Sequence, residues 1–147
     1  NEDNNLQLKE GLVRALTTKE AKGIANKAIL NEYNRTSKEF YLYRWILGNA
    51  MDIIIQEDDL DEVLEIVEDK SNGISRQMFI SSLGKIKSNK AEDILIELLD
   101  DYEVTAHAIE ALGKIKSKKS IPQLEKLSKH PKALIRNEAK KALKRIK

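Results

Sequence analysis

No cysteine occurs in this sequence. Disulfides, thiolate metal sites and cysteine nucleophiles are excluded together, and the chain suits a reducing compartment, with the cytoplasm as the expected location. Aromatic residues make up 5% and there are two prolines. The longest apolar runs, such as Met51-Asp52-Ile53-Ile54-Ile55, are too short to span a bilayer. Apolar and polar residues nowhere alternate with period two, so no strands are expected. The first residues, Asn1 to Asn5, are polar and acidic, unlike a signal peptide. The chain starts without Met, which fits one that is processed, trimmed or cut from something longer.

What is present is charge, lysine, glutamate and leucine, the composition of a helical chain. Charged residues are 34% of the total, yet the net charge is only +2. The two signs are separated along the sequence. Residues 52–69 carry nine acids and no Lys or Arg, whereas residues 114–147 carry thirteen bases against Glu125 and Glu138, a local excess of +11. With 147 residues, a single domain (1–147) is expected.

One phrase occurs twice. Leu83-Gly84-Lys85-Ile86-Lys87-Ser88 reappears 29 residues later as Leu112-Gly113-Lys114-Ile115-Lys116-Ser117. Aligning Leu83 with Leu112, and then with Leu143 after 31 more residues, brings Ile86, Ile115 and Ile146 together. Upstream, Ile80 meets Ile109, and Ser75 meets Val104 and Ile135. Leu47-Gly48 is a fainter earlier copy. A period near thirty with two amphipathic helices per unit marks a solenoid, in which a hairpin too small to bury both apolar stripes does so by stacking on its neighbours. Glycine inside a helical pattern costs about 1 kcal/mol relative to Ala, so Gly84 and Gly113 are expected in helix interiors at close helix–helix contacts. The phrase lacks the glycine spacing of a phosphate-binding loop.

The periodicity predicts a short helix over 6–16 and four helix pairs: 18–33 with 37–55, 59–70 with 73–87, 90–100 with 102–116, and 119–129 with 132–146. Thr18, Ser37, Ser71 or Asn72, Asn89 and Ser117 stand where N-caps are wanted. Pro122 falls in a first helical turn and Pro131 in the connection before the last helix.

The segments Leu95–Asp101 with Val104–Ser117, then Ser75–Ser88 and Ile135–Lys147, resemble HEAT repeats of the short type found in phycobilisome-lyase-like proteins. Arg76 and Arg136 match the arginine of that pattern, but Thr105 replaces it in the best copy, and Lys144 stands where Gly is expected. The resemblance implies a right-handed all-α superhelix of about four hairpins: a degenerate repeat at 18–57, then 58–88, 89–117 and 118–147. It also implies that the second helices line one face, the concave one in such folds. Relatives of this kind are mostly binding surfaces for other proteins. Some attach bilin chromophores, and some helical-repeat enzymes excise alkylated bases from DNA.

His107, with Glu103 and Glu110 within one helical turn, lacks the three or four ligands that zinc requires. His130 precedes Pro131 at a helix end, where the dipole accounts for it. Phe40, Tyr41, Tyr43 and Trp45 form either the bulky end of a core or a stacking platform. The acids of 57–69 lack calcium-loop spacing and read as the wet face of a helix that turns Leu60, Val63, Leu64, Ile66 and Val67 inward. The basic final helix reads as a polar end cap or a phosphate-binding surface. No catalytic group, metal ligand set or cofactor is expected. The expected function is a non-catalytic protein-binding scaffold, adaptor or regulatory subunit. Its contacts are expected from polar positions on the second helices: Arg76, Gln77, Lys85, Thr105, His107, Glu110, Lys114, Arg136, Lys140 and Lys144. The alternatives are a nucleic-acid binder of the DNA-alkylation-repeat kind and a bilin-lyase-like protein.

Overall fold

A computed structural model of the chain describes residues 23–147, together with Gln7, Lys9, Glu10, Gly11 and Val13, which are helical. The rest of the expected 6–16 helix, the Thr18 cap and the start of the 18–33 helix lie outside the described residues. The described residues form helices, turns and loops, with no strand among them.

The first described pair is α1 (Asn26–Arg35) and α2 (Tyr41–Ile54). Gly23 adopts φ +85° and its N–H donates to Asn26 Oδ1 at 2.9 Å, so a turn precedes α1. A helix running through 18–33 is thereby corrected to one that begins at Asn26. α1 buries Asn26, Ile29, Leu30 and Tyr33, and α2 buries Tyr43, Arg44, Leu47, Ala50, Met51 and Ile54, both at helical spacing. α3 (Leu60–Glu68) follows a 3₁₀ turn at Glu57–Asp59 and buries Val63, Leu64, Ile66 and Val67, with Leu60 partly buried. Its acids lie on the wet side, whereas Asp59 in the 3₁₀ turn is buried and accepts from the Gln56 N–H at 2.8 Å and from the Asn26 side chain.

The helix expected at 73–87 is three pieces: a 3₁₀ segment Lys70–Arg76, α4 (Gln77–Ser82) and a 3₁₀ turn Leu83–Lys85. The break is at Gly73, whose φ of 57° and ψ of −141° interrupt any helix. α5 (Asn89–Glu97) tightens into a 3₁₀ turn at Leu98–Asp100, and α6 is Thr105–Lys114. A 3₁₀ turn at Lys118–Ser120 leads into α7 (Ile121–Leu127), with Pro122 in its first turn, and α8 is Ala133–Ile146. Ser88 rather than Asn89 caps α5, accepting from Ala91 N–H at 3.3 Å. Ser117 caps as expected, accepting from Ser120 N–H at 3.2 Å. Asp69, not Ser71 or Asn72, accepts the Ser71 N–H. Ser37 caps nothing, because α2 begins only at Tyr41.

Helices pair as α1–α2, α3–α4, α5–α6 and α7–α8, and the second members pack side by side in the order α2, α4, α6, α8. This is an all-α solenoid with one continuous core running from Val13 to Ile146 among the described residues. The glycines occupy the seams. A Cβ on Gly48 would lie 2.8 Å from the Phe79 ring. One on Gly84 would lie 3.2 Å from Ala111 Cα, and one on Gly113 would lie 3.0 Å from both Cα and Cβ of Ala142. Gly84 and Gly113 therefore let the chain approach the next second helix at backbone distance, while Gly48 makes room for the Phe79 ring. Gly113 is in a helix, as expected, whereas Gly84 sits in the terminal 3₁₀ turn. Lys144 at the aligned position of α8 is exposed and meets no further hairpin among the described residues.

Gly113→Leu is expected to cost about 1–3 kcal/mol or more by overpacking. Gly84→Ala should be milder than Gly113→Ala, since two of its three nearest neighbours belong to the flexible Lys114 side chain. Chemical denaturation of the variants checks both statements, and an unchanged midpoint for Gly113→Leu would refute the packing role.

Candidate functional site

The expected contact residues divide into two groups. Arg76 and Thr105 do not face solvent. Arg76 is 0% exposed: its Nε donates to Gly73 O at 2.8 Å and its Nη1 to Val67 O at 3.2 Å. Its Nη2 lies 2.9 Å from the buried Asp101 Oδ2 in the next hairpin, an ion pair without an aligned hydrogen bond, and 3.8 Å from Glu103 Oε1. Thr105, at the same place one repeat later, uses its hydroxyl to donate to Asp101 O at 2.8 Å and Leu99 O at 3.2 Å. Arg136 is half-buried and donates from Nη1 to His130 O at 2.9 Å and Pro131 O at 3.1 Å, closing the last turn. This position of the repeat thus ties helix to turn, because a side-chain donor there, arginine or threonine, meets orphan carbonyls of the turn.

Arg44, which in the Leu47-Gly48 register aligns with Ile80 and Ile109, is a second buried arginine of a different kind. It is buried, with its Cζ 4.0 Å from the Tyr33 ring centroid and Nη2 donating to Asn72 Oδ1 at 3.0 Å. Tyr33 in turn packs edge-on against Phe79, with centroids 4.7 Å apart, and shares a 2.7 Å hydrogen bond with Ser75 Oγ. Burial pushes the Tyr33 hydroxyl above its ordinary pKa. Ser75 stands where the other repeats have Val104 and Ile135, because this seam must satisfy a buried phenol.

The second group lies on the outward side of α4, α6 and α8. Gln77 links hairpins: its Oε1 accepts from Trp45 Nε1 at 3.2 Å and its Nε2 donates to Glu103 O at 3.0 Å. Lys85 Nζ is 3.3 Å from Asp52 Oδ1 across the α2–α4 seam. Lys114 pairs with Glu110 at 2.8 Å, and this hydrogen bond holds the Glu110 carboxyl below its usual range. His107 is half-buried, and burial lowers its pKa from 6.5 against the opposing pull of Glu110 and Glu138. Lys140 and Lys144 are exposed but leave this row, because they align with the buried Ile109 and with the seam glycine Gly113 and so point away from Glu138 on α8. Glu138, which holds Lys141 at 2.8 Å, and Arg145, whose charge is felt by Glu110, belong to this face as well. At the 31-residue step Glu138 aligns with His107 and Arg145 with Lys114, and the seam between α6 and α8 brings them beside His107 and Glu110.

The aromatic group is split. Tyr43 is buried and donates to Glu32 Oε1 at 3.0 Å, and Trp45 is half-buried, while Phe40 and Tyr41 are each nearly half exposed. A cleft of about 500 Å³ beside Lys85 is lined by Ile53, Ile55, Gln56, Glu57, Asp58 and Ile86. No group of three or more His, Asp or Glu among the described residues is placed to hold a metal ion. No helix among them is long and apolar enough to cross a membrane.

Stacked hairpins with glycine seams, arginine-tied turns and a polar outer row define a helical-repeat protein. A family model for HEAT repeats matches residues 60–144, more than half of the chain, and the chain belongs to that family. No curated protein and no solved structure matches it.

Two outcomes follow from this geometry. Arg76→Met should destabilise the fold by about 3–5 kcal/mol, because Asp101 is left buried without its cation, and Arg76→Met with Asp101→Leu should recover part of that loss. The folded protein disfavours protonated His107, so stability should be full above the unfolded pKa of 6.5 and decline as pH falls through it. Lowered Glu110 acts separately, its contribution disappearing only below 4.5. His107→Gln should flatten the stability profile just below 6.5, and an NMR titration midpoint for His107 at or above 6.5 would contradict the burial assignment.

Proposed function

We propose that the chain is a non-catalytic scaffold or adaptor that binds another protein along the outward face of its second helices, with the hairpins acting as one domain. The observation that carries this reading is the layout of that face. Gln77, Lys85, His107, Glu110, Lys114 and Glu138 are spread in rows over three adjacent helices. They do not converge on one point. A spread of alternating donors, acceptors and charges suits an extended protein surface better than a single reacting group. Membership of the HEAT-repeat family supports it too, since such repeats commonly serve as interaction scaffolds. Function remains a property of the surface and not of the fold alone.

The test is positional. A photo-crosslinking residue is placed at 107, 110 or 141 on the second helices, and at 65, 97 or 126 on the first. In extract from the native source, protein adducts are expected mainly from the second-helix set. Adducts only from the first-helix set, or to nucleic acid, would overturn the reading.

A further inference from the structure

We propose that the edge formed by the C-terminal ends of α4, α6 and α8 and the turns after α4 and α6 is a docking strip for an extended, acid-rich segment of a partner protein. This rests on the scaffold reading and adds the chemistry of the segment. The repeated phrase supplies the strip. After each seam glycine the chain continues Lys85-Ile86-Lys87 and Lys114-Ile115-Lys116, and α8 ends Arg145-Ile146-Lys147. Isoleucine is directed into the core or its margin in each copy, so the flanking cations project outward. The seams set these rows side by side: a Cβ on Gly84 would touch Lys114 Cβ at 3.2 Å, and one on Gly113 would lie 3.7 Å from Arg145 Cδ.

Some cations of the strip are neutralised within the chain. Lys85 pairs with Asp52 at 3.3 Å, Lys90 with Asp61 at 3.7 Å, and Lys147 with Glu125 at 3.3 Å. Lys87, Lys116, Lys118, Lys144 and Arg145 are exposed and form no ion pair among the described residues. Lys116 also holds φ +55°, the one described non-glycine residue in the left-handed region. Glycine fits such a helix-terminal position without strain, so an ammonium group is displayed here against the local backbone preference.

Charge of this sign selects an anionic occupant, and its surroundings favour a polypeptide. Carboxylates of Asp52, Asp61 and Glu110 are interleaved with the lysines. A phosphate chain, charged at every unit, would be laid across them, whereas a peptide can place acids only opposite the unpaired cations. No aromatic residue lies between 103 and 147 to stack on a base. Helices packed about 8–10 Å apart make three rows about 20 Å long, the span of about six extended residues.

The test uses the whole chain and a fluorescein-labelled peptide of alternating Glu and Ser, with a Gln/Ser peptide, an oligothymidine and phosphatidylserine vesicles as competitors. Selective binding of the Glu/Ser peptide is expected, weakening steeply as ionic strength rises. Replacing Lys87, Lys116 and Arg145 by Gln should reduce affinity by about tenfold, the sum of three modest exposed pairings. The same replacement of Lys27, Lys38 and Lys70 should leave it unchanged, with circular dichroism confirming both folds. No preference for the Glu/Ser peptide over the Gln/Ser peptide, equal losses in the two triple variants, or stronger binding of vesicles overturns the inference while leaving the crosslinking result standing. Tighter binding of oligothymidine than of peptide overturns this inference and the scaffold reading together.

Discussion

Contact at near-backbone distance between neighbouring second helices is the constraint on which the solenoid depends. Gly48, Gly84 and Gly113 each lie where a Cβ would press on the following helix. Without that closeness the apolar stripes of α4, α6 and α8 would be separated by gaps too small for water and too large for van der Waals contact. With it, Leu47, Phe79, Ile80, Leu83, Ala108, Ile109, Leu112, Ala139 and Ala142 become one core. Small residues on the opposing side complete the fit at the later seams, where Gly84 meets Ala111 and Gly113 meets Ala142, whereas Gly48 accommodates the Phe79 ring. A helical glycine costs about 1 kcal/mol in isolation, and the packing it permits is worth more than that for each seam.

Close stacking has a consequence for the turns. Each hairpin turn is drawn against its neighbour and its carbonyls lose water, so polar side chains must be buried to meet them. Arg76 meets the carbonyls of Val67 and Gly73, Thr105 those of Leu99 and Asp101, and Arg136 those of His130 and Pro131. Only Arg76 among these has a buried carboxylate partner, Asp101. The others are neutral or partly wet, so the repeats share a role at this position without sharing its chemistry.

The same stacking turns sequence repetition into surface pattern. Positions that recur every 29 to 31 residues arrive in adjacent rows on adjacent helices. The outward face thus carries Gln77, His107 and Glu110 beside Glu138. The edge carries lysines whose acids are supplied partly by the preceding hairpin, as with Asp52 for Lys85 and Asp61 for Lys90. The chain's strong separation of charge is therefore partly cancelled across the first seams, and the excess of cations is left toward α8.

The sequence by itself determined the helix pairs, the glycine seams, the inward stripe of α3 and the cap at Ser117. All of these are written in periods of one turn or one repeat, which local geometry makes visible. It did not determine where helices break. Gly73 splits an apparently continuous pattern because its left-handed φ serves a turn packed against the Glu103 region of the next hairpin. Nor did it separate structural from exposed polar residues. Arg76 and Lys85 look alike in a sequence, and only the position of Asp101 across the seam makes one of them core and leaves the other on the surface. Serine at position 75 looks like a flaw in an apolar register until Tyr33, 42 residues away, is found donating or accepting its hydrogen bond. Periodicity fixes which face of a helix is apolar, but burial of a polar group is decided by a partner from another hairpin, and that partner has no fixed distance along the chain.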